Sequence, residues 1–484
     1  MDRLVSRNPA TGAVVGEFEV DDASSVAAAV ERSRSAAKWW ASREFAQRQA
    51  RLRAYAAVMV NRSGELAELM QAENGKSLDD ASLEIVISAA HLRWAADHAE
   101  RVLRHRSRAP GWLMANVAAS VEYRPYGVVG VIGPWNYPVF TPIGSIAYAL
   151  AAGNSVVFKP SEFTPAVGRW LVDAFSEVAP EEPVLSLVVG AGETGSALVN
   201  SGVDKVAFTG SAATARRVMA ACATTLTPLV AECGGKDPMI VAEDADVAAA
   251  AEAALWGGCT NSGQSCVGVE RVYVVDGVYD EFIGELTRRA RRVRAGVDYG
   301  AMTTPEGVET VRRHIADAVE RGARPVVGGP ESIRPPFIDP TVLVDVPIDA
   351  PVLTEETFGP VLAVVRVPDG PSAVAAANGA DYGLAASVFS AHRGPAIARQ
   401  LRAGAVSVNS ALAFMGTPAL PFGGVGGSGF GRIHGADGLR EFAWTQSTVR
   451  PRVRSPLPVM SFEAGPKAMG RLVAAARRLY GRSS

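Results

Sequence analysis

The residue with the most reactive side chain in this chain is Cys266, which lies in a run of small polar residues, 261–268. The glycine, serine and glutamine around it predict a bend with free backbone N–H groups, which favour a thiolate. Glu232 ends an apolar run and stands just before Gly234 and Gly235. A nucleophilic thiol and a mobile carboxylate together predict covalent catalysis followed by base-assisted hydrolysis.

Bulk composition excludes several classes of protein. A formal net charge of −2 gives no general attraction to nucleic acid or to an anionic membrane. The four cysteines and six histidines show no metal-ligand spacing, so no metal site is predicted. Residues 1–9 contain no apolar signal segment, and no apolar run is long enough to span a membrane. We therefore expect a cytoplasmic protein without disulfides.

Short apolar runs alternate with helical patterns along most of the chain, as in a doubly wound parallel sheet. Asp21 or Asp22 is predicted to cap a long helix that ends near Trp40. One series of buried strands is predicted at 128–132, 155–158, 184–189 and 205–208. A second series is predicted at 239–241, 272–274, 361–367, 387–389 and 406–409. The fold class is therefore α/β with two domains that change near Glu232.

Seven motifs in a fixed order carry a family resemblance. They are Gly133–Pro138, Gly153-Asn154 with Lys159–Glu162, Phe208–Ser211, Glu232–Lys236, Gly263–Cys266, Glu355–Pro360 and Pro421–Gly424. From about residue 8 to about residue 449, their order and spacing resemble those of the NAD(P)-dependent, non-CoA-acylating aldehyde dehydrogenase superfamily.

The resemblance implies a Rossmann-like NAD-binding domain, an α/β catalytic domain and a small β-arm for oligomerisation. We assign 1–108 and 125–232 to the NAD-binding domain and 233–430 to the catalytic domain. The arm is assigned to 109–124 and 445–460, and a C-terminal amphipathic tail to 461–484. The arm strand, 117–123, and the segment around Val449 imply a homodimer or homotetramer.

Catalytic roles are carried over residue by residue. Cys266 would attack the aldehyde to give a thiohemiacetal, and Asn136 would share the oxyanion with the Cys266 N–H. Without the resemblance, Asn136 would be interpreted as a turn residue. Glu232 would activate the water that hydrolyses the thioester.

Cofactor positions also follow from the resemblance. A carboxylate at Glu162 would accept hydrogen bonds from ribose hydroxyls and repel a 2′-phosphate, so NAD is favoured over NADP. From sequence alone, Lys159 and Glu162 fit a solvated loop equally well. Gly190–Gly195 spells G-x-G-x-x-G but lacks the acidic residue that should follow, so a plain glycine turn fits it as well. The predicted cofactor-binding residues are Ile132, Pro134, Trp135, Lys159, Ser161, Glu162, Gly192, Phe208, Gly210, Ser211, Gly234, Glu356 and Phe358.

Substrate positions were counted from Asn136 and Cys266. They are Tyr137, Thr141, Gly144, Ser145, Ser265, Val267, Phe414 and Phe422. Gly144 occupies a position that often carries a large aromatic side chain, so its small size is expected to widen the tunnel. We therefore predict NAD-dependent oxidation of a medium or long aliphatic, or an aromatic, aldehyde to the acid. The alternatives are a succinic-semialdehyde-type dehydrogenase and a CoA-acylating aldehyde dehydrogenase.

The tail beyond residue 461 places apolar residues at helical spacing beside several arginines. Three interpretations stay open: packing on its own or a partner subunit, a gate over the substrate tunnel, and weak contact with an anionic membrane surface.

Overall fold

A computed structural model describes residues 2–453, 460–462 and 464–481. Contacts divide the chain into a large unit, 1–102 with 125–444, and a small unit, 103–124 with 445–484. The strands are β1 (Arg3–Arg7), β2 (Val14–Glu19), β3 (Arg106–Arg108), β4 (Val117–Pro125), β5 (Val128–Ile132), β6 (Ser155–Lys159), β7 (Leu185–Leu187), β8 (Lys205–Thr209), β9 (Leu229–Glu232), β10 (Asp237–Val241), β11 (Val269–Val275), β12 (Arg324–Val327), β13 (Ile333–Arg334), β14 (Phe337–Ile338), β15 (Thr341–Val344), β16 (Val361–Val367), β17 (Ala385–Phe389), β18 (Ala405–Val408), β19 (Gly429–Phe430) and β20 (Ala443–Pro451).

The helices belong to both units, with the last helix in the small one. They are α1 (Ala23–Ala41), α2 (Phe45–Asn61), α3 (Ser63–Asn74), α4 (Leu78–Leu103), α5 (Phe140–Ala152), α6 (Pro165–Val178), α7 (Gly192–Asn200), α8 (Ala212–Thr225), α9 (Val247–Cys259), α10 (Asp276–Ala290), α11 (Pro305–Glu320), α12 (Pro351–Thr354), α13 (Gly370–Ala377), α14 (Gly394–Ala398), α15 (Gly435–Glu441) and α16 (Pro466–Tyr480). Asp22 caps α1 by accepting a hydrogen bond from Ser25 N at 2.8 Å, which confirms the predicted cap.

The first large sheet has the strand order β19-β9-β8-β5-β6-β7 and is parallel except for β19. Its central strands are apolar because helices cover both faces. In a parallel sheet all carboxyl ends lie at one edge, so Ile132, Lys159, Thr209 and Glu232 end neighbouring strands there.

The second large sheet has the strand order β12-β15-β16-β11-β10-β17-β18 and is parallel except for β12. Its core is a cluster of buried aliphatic side chains beneath α9 and α10. The sheets together confirm the predicted α/β class, while the exact domain boundaries stay a prediction.

The small unit contains a three-stranded sheet of order β20-β4-β3 and the helix α16. The predicted arm strand at 117–123 lies within β4. Among the described residues no helix is long and apolar enough to cross a membrane.

Candidate active site

A cavity of about 580 Å³ opens at the carboxyl edge of the first sheet, and we call it the nucleotide cleft. Ten of the predicted cofactor residues line it: Ile132, Pro134, Trp135, Lys159, Ser161, Glu162, Gly192, Phe208, Gly210 and Ser211. Arg217 also lines the cleft, and the sequence interpretation did not assign it to the site. The cleft therefore holds one carboxylate and two cationic side chains.

Two helices begin at this cleft. Helix α7 begins at Gly192, where a Cβ would meet nothing within 4 Å, so the N-terminus of the helix is open. Helix α8 begins after Ser211, whose side chain accepts from Thr214 N at 3.3 Å. Because free N–H groups and the helix dipole favour anions, the cleft suits the pyrophosphate of a dinucleotide.

Lys159 and Glu162 do not form the solvated loop that sequence alone allowed. Lys159 is buried, and its Nζ lies 3.6 Å from Glu162 Oε2. Burial lowers the pKa of Lys159, and the Glu162 carboxylate opposes that shift. Ser161 Oγ donates to the same carboxylate at 3.2 Å, so the acid is oriented at the cleft wall.

A second cavity, of about 290 Å³, contains the nucleophile and is called the thiol cavity here. It shares Pro134, Trp135, Thr209, Gly210 and Ser211 with the nucleotide cleft, so the two adjoin. The predicted residues that line only this cavity are Asn136, Thr141, Gly234, Cys266, Glu356 and Phe358. The Cys266 thiol therefore lies in a cavity that adjoins the nucleotide cleft.

The loop before Cys266 has a constrained backbone. Asn261 and Ser262 have φ values of 52° and 60°, and Gly263 has 70°. A Cβ at Gly263 would lie 2.2 Å from Gly359, so only glycine fits. Gln264 Oε1 accepts from Thr303 N at 2.8 Å and anchors the loop.

The environment of the Cys266 thiol differs from the sequence expectation. Burial raises its pKa well above the usual value, and the carboxylates of Glu232, Asp237 and Glu356 raise it further. A backbone hydrogen bond at Cys266 lowers the pKa as expected, but desolvation and the three carboxylates outweigh it. The thiol is protonated at neutral pH and needs a base.

Glu232 stands at the end of β9, with 5% of its surface exposed. Burial raises its pKa to about 7, and a hydrogen bond from Thr209 opposes the shift. Thr209 Oγ1 donates to Oε2 at 3.4 Å, while Oε1 is buried and has no hydrogen-bond partner among the described residues. A carboxyl near its pKa at neutral pH, with one oxygen unpaired, suits a group that takes up protons.

Asn136 is oriented for a donor role. The side-chain Nδ2 of Asn136 donates to the backbone carbonyl of Gln264 at 3.0 Å. The backbone carbonyl of Asn136 accepts from Asn261 Nδ2 at 2.9 Å. An amide nitrogen carries two hydrogens, so a second donor is available to an oxygen in the thiol cavity.

A buried ion pair between Lys76 and Glu84 supports the segment that carries Asn136. Sequence reasoning missed this pair. Lys76 Nζ donates to Glu84 and also to Asn136 O at 3.0 Å. Glu84 Oε1 accepts from Val139 N at 2.8 Å and Phe140 N at 2.9 Å, at the start of α5. Charged residues at the start of an amphipathic helix carry no sequence signal that distinguishes burial from exposure.

Glu356 lines the thiol cavity, and its carboxylate contacts Gly234 and Gly235. Its Oε1 accepts from Gly235 N at 3.1 Å, and a Cβ at Gly234 would lie 2.2 Å from that carboxylate. Burial and then the charge of Glu270 raise the pKa of Glu356 to about 8. Phe358 packs edge to face on Trp135, with ring centroids 5.6 Å apart.

A second buried ion pair, Lys236 with Glu270, holds the segment that carries Glu356 and Phe358. Lys236 Nζ donates to Glu270 and to Thr357 Oγ1 at 3.0 Å. Glu270 also accepts from Thr357 N at 2.9 Å and Phe358 N at 3.0 Å. Lys236 therefore has a structural role, and Glu270 is a positioning residue that the sequence did not reveal.

A small cavity of about 50 Å³ adjoins Tyr137 and is called the apolar pocket here. Tyr137 is the only predicted substrate residue in its lining, and burial raises the pKa of the phenol above its usual range. The other lining residues are Asp80, Leu83, Glu84, Ile87, Phe140, Trp256, Thr260, Leu412 and Met415. Leu83 and Ile87 are one turn apart on α4, a spacing that sequence inspection could have used.

The remaining predicted substrate positions line neither the thiol cavity nor the apolar pocket. Ser265 and Val267 flank Cys266 and are buried, and Ser145 is buried on α5. Phe414 and Phe422 stack with centroids 5.8 Å apart.

The wide-tunnel prediction at Gly144 is wrong. A Cβ there would lie 2.6 Å from His434 Nε2 and 3.2 Å from Ile433 Cδ1. His434 is buried among Phe140, Tyr148, Phe422 and His91. The space that an aromatic side chain would take is filled by an imidazole from the far end of the sequence.

All four cysteines are free thiols. Cys222 and Cys259 are buried, whereas Cys233 is buried but also lines the thiol cavity. Burial raises the pKa of Cys233 to about 11 and that of Cys259 to about 12. Among the described residues no cluster could hold a metal ion.

Comparison with known proteins decides the family. The profile of the aldehyde dehydrogenase family matches residues 2–448. The chain belongs to this family. This dehydrogenase is 37% identical over 465 residues to a 4,4'-diapolycopene aldehyde oxidase of Methylomonas sp, covering 94% of this chain and 87% of the relative. It is 36% identical to a glutarate-semialdehyde dehydrogenase of Pseudomonas aeruginosa, covering 90% and 91%.

Solved structures agree with the family assignment. The crystal structure of an NADP-dependent enzyme of E. coli superimposes with a TM-score of 0.89 at 33% identity, covering 93% of this dehydrogenase and 95% of that chain. The Rossmann-like and catalytic α/β architecture expected from the motifs is therefore confirmed, and the chain is an oxidoreductase that uses a nicotinamide dinucleotide.

Proposed function

We propose that this dehydrogenase oxidises an apolar aldehyde to its carboxylic acid through a covalent thioester on Cys266, independently of CoA. The observation that carries the proposal is the thiol cavity, which brings Cys266 and Asn136 together and adjoins the nucleotide cleft. The residues of the nucleotide cleft would hold a nicotinamide dinucleotide, which would supply the hydride acceptor.

The residues of this chain divide the remaining work. The Cys266 thiol loses its proton and attacks the carbonyl carbon, and Asn136 Nδ2 donates to the oxygen that becomes negative. Glu232, which influences the Cys266 thiol electrostatically, is the base for that proton and later for the hydrolytic water. Its side chain does not line the thiol cavity in the observed conformation, so a rotation past Gly234 and Gly235 is required.

The apolar pocket supports an apolar substrate. No arginine or lysine contributes to its lining, so it offers no cation to a distal carboxylate. The carboxylate of Asp80 in this lining is already hydrogen-bonded, because it accepts from Thr260 Oγ1 at 2.5 Å and from Asn261 N at 3.1 Å. A succinic- or glutaric-semialdehyde substrate is the second candidate, favoured by the Pseudomonas relative's name.

NAD is proposed as the preferred cofactor, and Glu162 at the wall of the nucleotide cleft supports that preference. A homo-oligomer is also proposed. Strand β20 lies at the edge of its sheet, and within the described residues only β4 pairs with it, so its outer edge is available to a second copy.

The test is reduced-dinucleotide formation with NAD or NADP, using aliphatic aldehydes of graded length, aromatic aldehydes and succinic semialdehyde, with and without CoA. CoA-independent turnover that increases with chain length supports the proposal. Strict CoA dependence, or turnover of the semialdehyde alone, would contradict it. The Cys266→Ala variant is expected to bind the dinucleotide but not to turn over.

A further inference from the structure

The small unit carries a charge opposite to that of the rest of the molecule. Segments 103–124 and 445–484 contain eleven arginines, one lysine and two glutamates, a formal charge of +10. The whole chain has −2, so the remaining residues carry −12. A basic region of this density attracts anionic surfaces although the whole chain does not.

Helix α16 in this unit exposes an apolar face. No residue of the helix is buried, and Met469, Val473 and Tyr480 are 44%, 43% and 71% exposed. They repeat at helical spacing on one side of the helix, next to an open groove that Arg477 also lines. Leu472 and Ala476 on this helix are half-buried, so only part of its apolar surface is shielded from solvent.

Arginines flank this face without acidic partners. None of the ion pairs between described residues involves Arg471, Arg477 or Arg478. Without neutralising carboxylates, the three guanidinium groups are available to an external anion.

An aromatic pair stands at the C-terminal end of the helix. Trp112 Nε1 donates to Tyr480 Oη at 2.5 Å, with ring centroids 6.3 Å apart. Trp112, Leu113 and Phe462 are also exposed in this unit. Aromatic rings with one polar atom are favoured where an apolar phase meets water.

We propose that the small unit binds anionic phospholipid bilayers at their surface, with α16 lying in the headgroup region. Apolar residues between arginines match the chemistry of an interfacial amphipathic helix. Packing of α16 against a second copy is the alternative, and the oligomeric state of the face variants distinguishes the two. This lipid contact goes beyond the proposed catalysis and does not depend on it.

The experiment is co-sedimentation of the full-length protein with vesicles of phosphatidylcholine alone or mixed with phosphatidylglycerol. We expect binding to the mixed vesicles only, weakened by added salt. Arg471→Gln/Arg477→Gln/Arg478→Gln should reduce the partition coefficient about 100-fold, since each basic residue near the surface contributes about 1 kcal/mol. Met469→Ser/Val473→Ser should reduce it about tenfold or more.

Leu226→Ser/Val297→Ser is the matched control, because those side chains are 88% and 80% exposed on the large unit. It should bind like the parent, and all variants should keep their turnover of soluble aldehyde. Absence of binding to mixed vesicles, or equal binding by the arginine variant, overturns the proposal. A changed oligomeric state of the Met469/Val473 variant in light scattering also overturns it, since the face would then be a contact between copies.

Discussion

His434 occupies the space beside Gly144: its Nε2 lies 2.6 Å from the position that a Cβ on Gly144 would take. The imidazole packs on His91 in a tilted arrangement with centroids 3.9 Å apart, and its Nε2 has no hydrogen-bond partner in the part of the chain that the structure describes. Burial lowers the pKa of His434 well below its usual value, and nearby His91 adds to the shift. Gly144 and His434 are therefore complementary in volume rather than independent choices.

Gly144→Ala is expected to destabilise the protein by about 1–3 kcal/mol, because the added methyl group overpacks a filled site. Urea unfolding measures the change. Gly64→Ala is the control, since a Cβ there meets nothing within 4 Å in helix α3, and its stability should be unchanged or slightly higher. Unaltered stability of Gly144→Ala would show that His434 can move aside without cost.

Thioester hydrolysis is expected to increase with pH through about 7, following ionisation of Glu232. Only the deprotonated carboxylate can accept a proton from water. Glu232→Gln should accumulate acyl-enzyme and lose this pH dependence. Single-turnover experiments with mass detection of the acylated protein measure both effects; unchanged hydrolysis by Glu232→Gln would remove the residue from the role.

The same carboxyl predicts a pH dependence of stability. Its folded pKa of about 7 exceeds the ordinary 4.5, so the folded state binds more protons between these values and loses stability as pH rises. A shift of that size corresponds to about 3 kcal/mol above pH 8. Glu232→Gln should therefore unfold at higher denaturant concentration than the parent at pH 8.5 but not at pH 4.5. An equal difference at both pH values would contradict a buried, proton-binding Glu232.

Sequence reasoning located the site because its motifs are local. The glycines at 133, 210 and 234 are needed for close backbone approach, and the strand ends bring separate motifs to one edge. It failed where the deciding contact joins distant residues. Gly144 and His434 are 290 positions apart, and nothing near Gly144 shows that its space is filled.

The electrostatics of the site were equally hidden. A sequence shows that Lys76, Glu84, Lys236 and Glu270 are charged but not that they are buried as pairs. The thiol pKa depends on desolvation and on three carboxylates, from the end of β9, the start of β10 and the segment after α12, so the bend around Cys266 was an insufficient guide.

Cofactor preference can be tested at Glu162. Glu162→Gln is expected to raise kcat/KM for NADP relative to NAD about tenfold, because it removes a negative charge while Lys159 and Arg217 stay in the cleft. Steady-state kinetics with both dinucleotides give the ratio. Glu193→Gln, on α7 but outside the cleft lining, is the matched control. A parent that already prefers NADP, or a ratio unaffected by Glu162→Gln, would contradict the proposed NAD preference.

Glu270 offers a test of positioning at a distance from the reacting atoms. Glu270→Gln leaves Lys236 buried without its counter-charge and is expected to cost about 3–5 kcal/mol in unfolding experiments. Adding Lys236→Met should recover part of that loss, because the uncompensated charge is removed. Glu243→Gln is the matched control: its ion pair with Arg393 is about half exposed, so its loss should cost under about 1 kcal/mol.

The double variant Glu270→Gln/Lys236→Met also separates the effect on stability from the effect on positioning. With Lys236→Met part of the lost stability is recovered, but the backbone N–H groups of Thr357 and Phe358 still lack the carboxylate that accepts from them. We therefore expect the KM for the dinucleotide to stay raised while kcat for a saturating aldehyde changes less, since Phe358 packs on Trp135 at the junction of the two cavities. Full recovery of KM along with stability would limit Glu270 to a purely structural role.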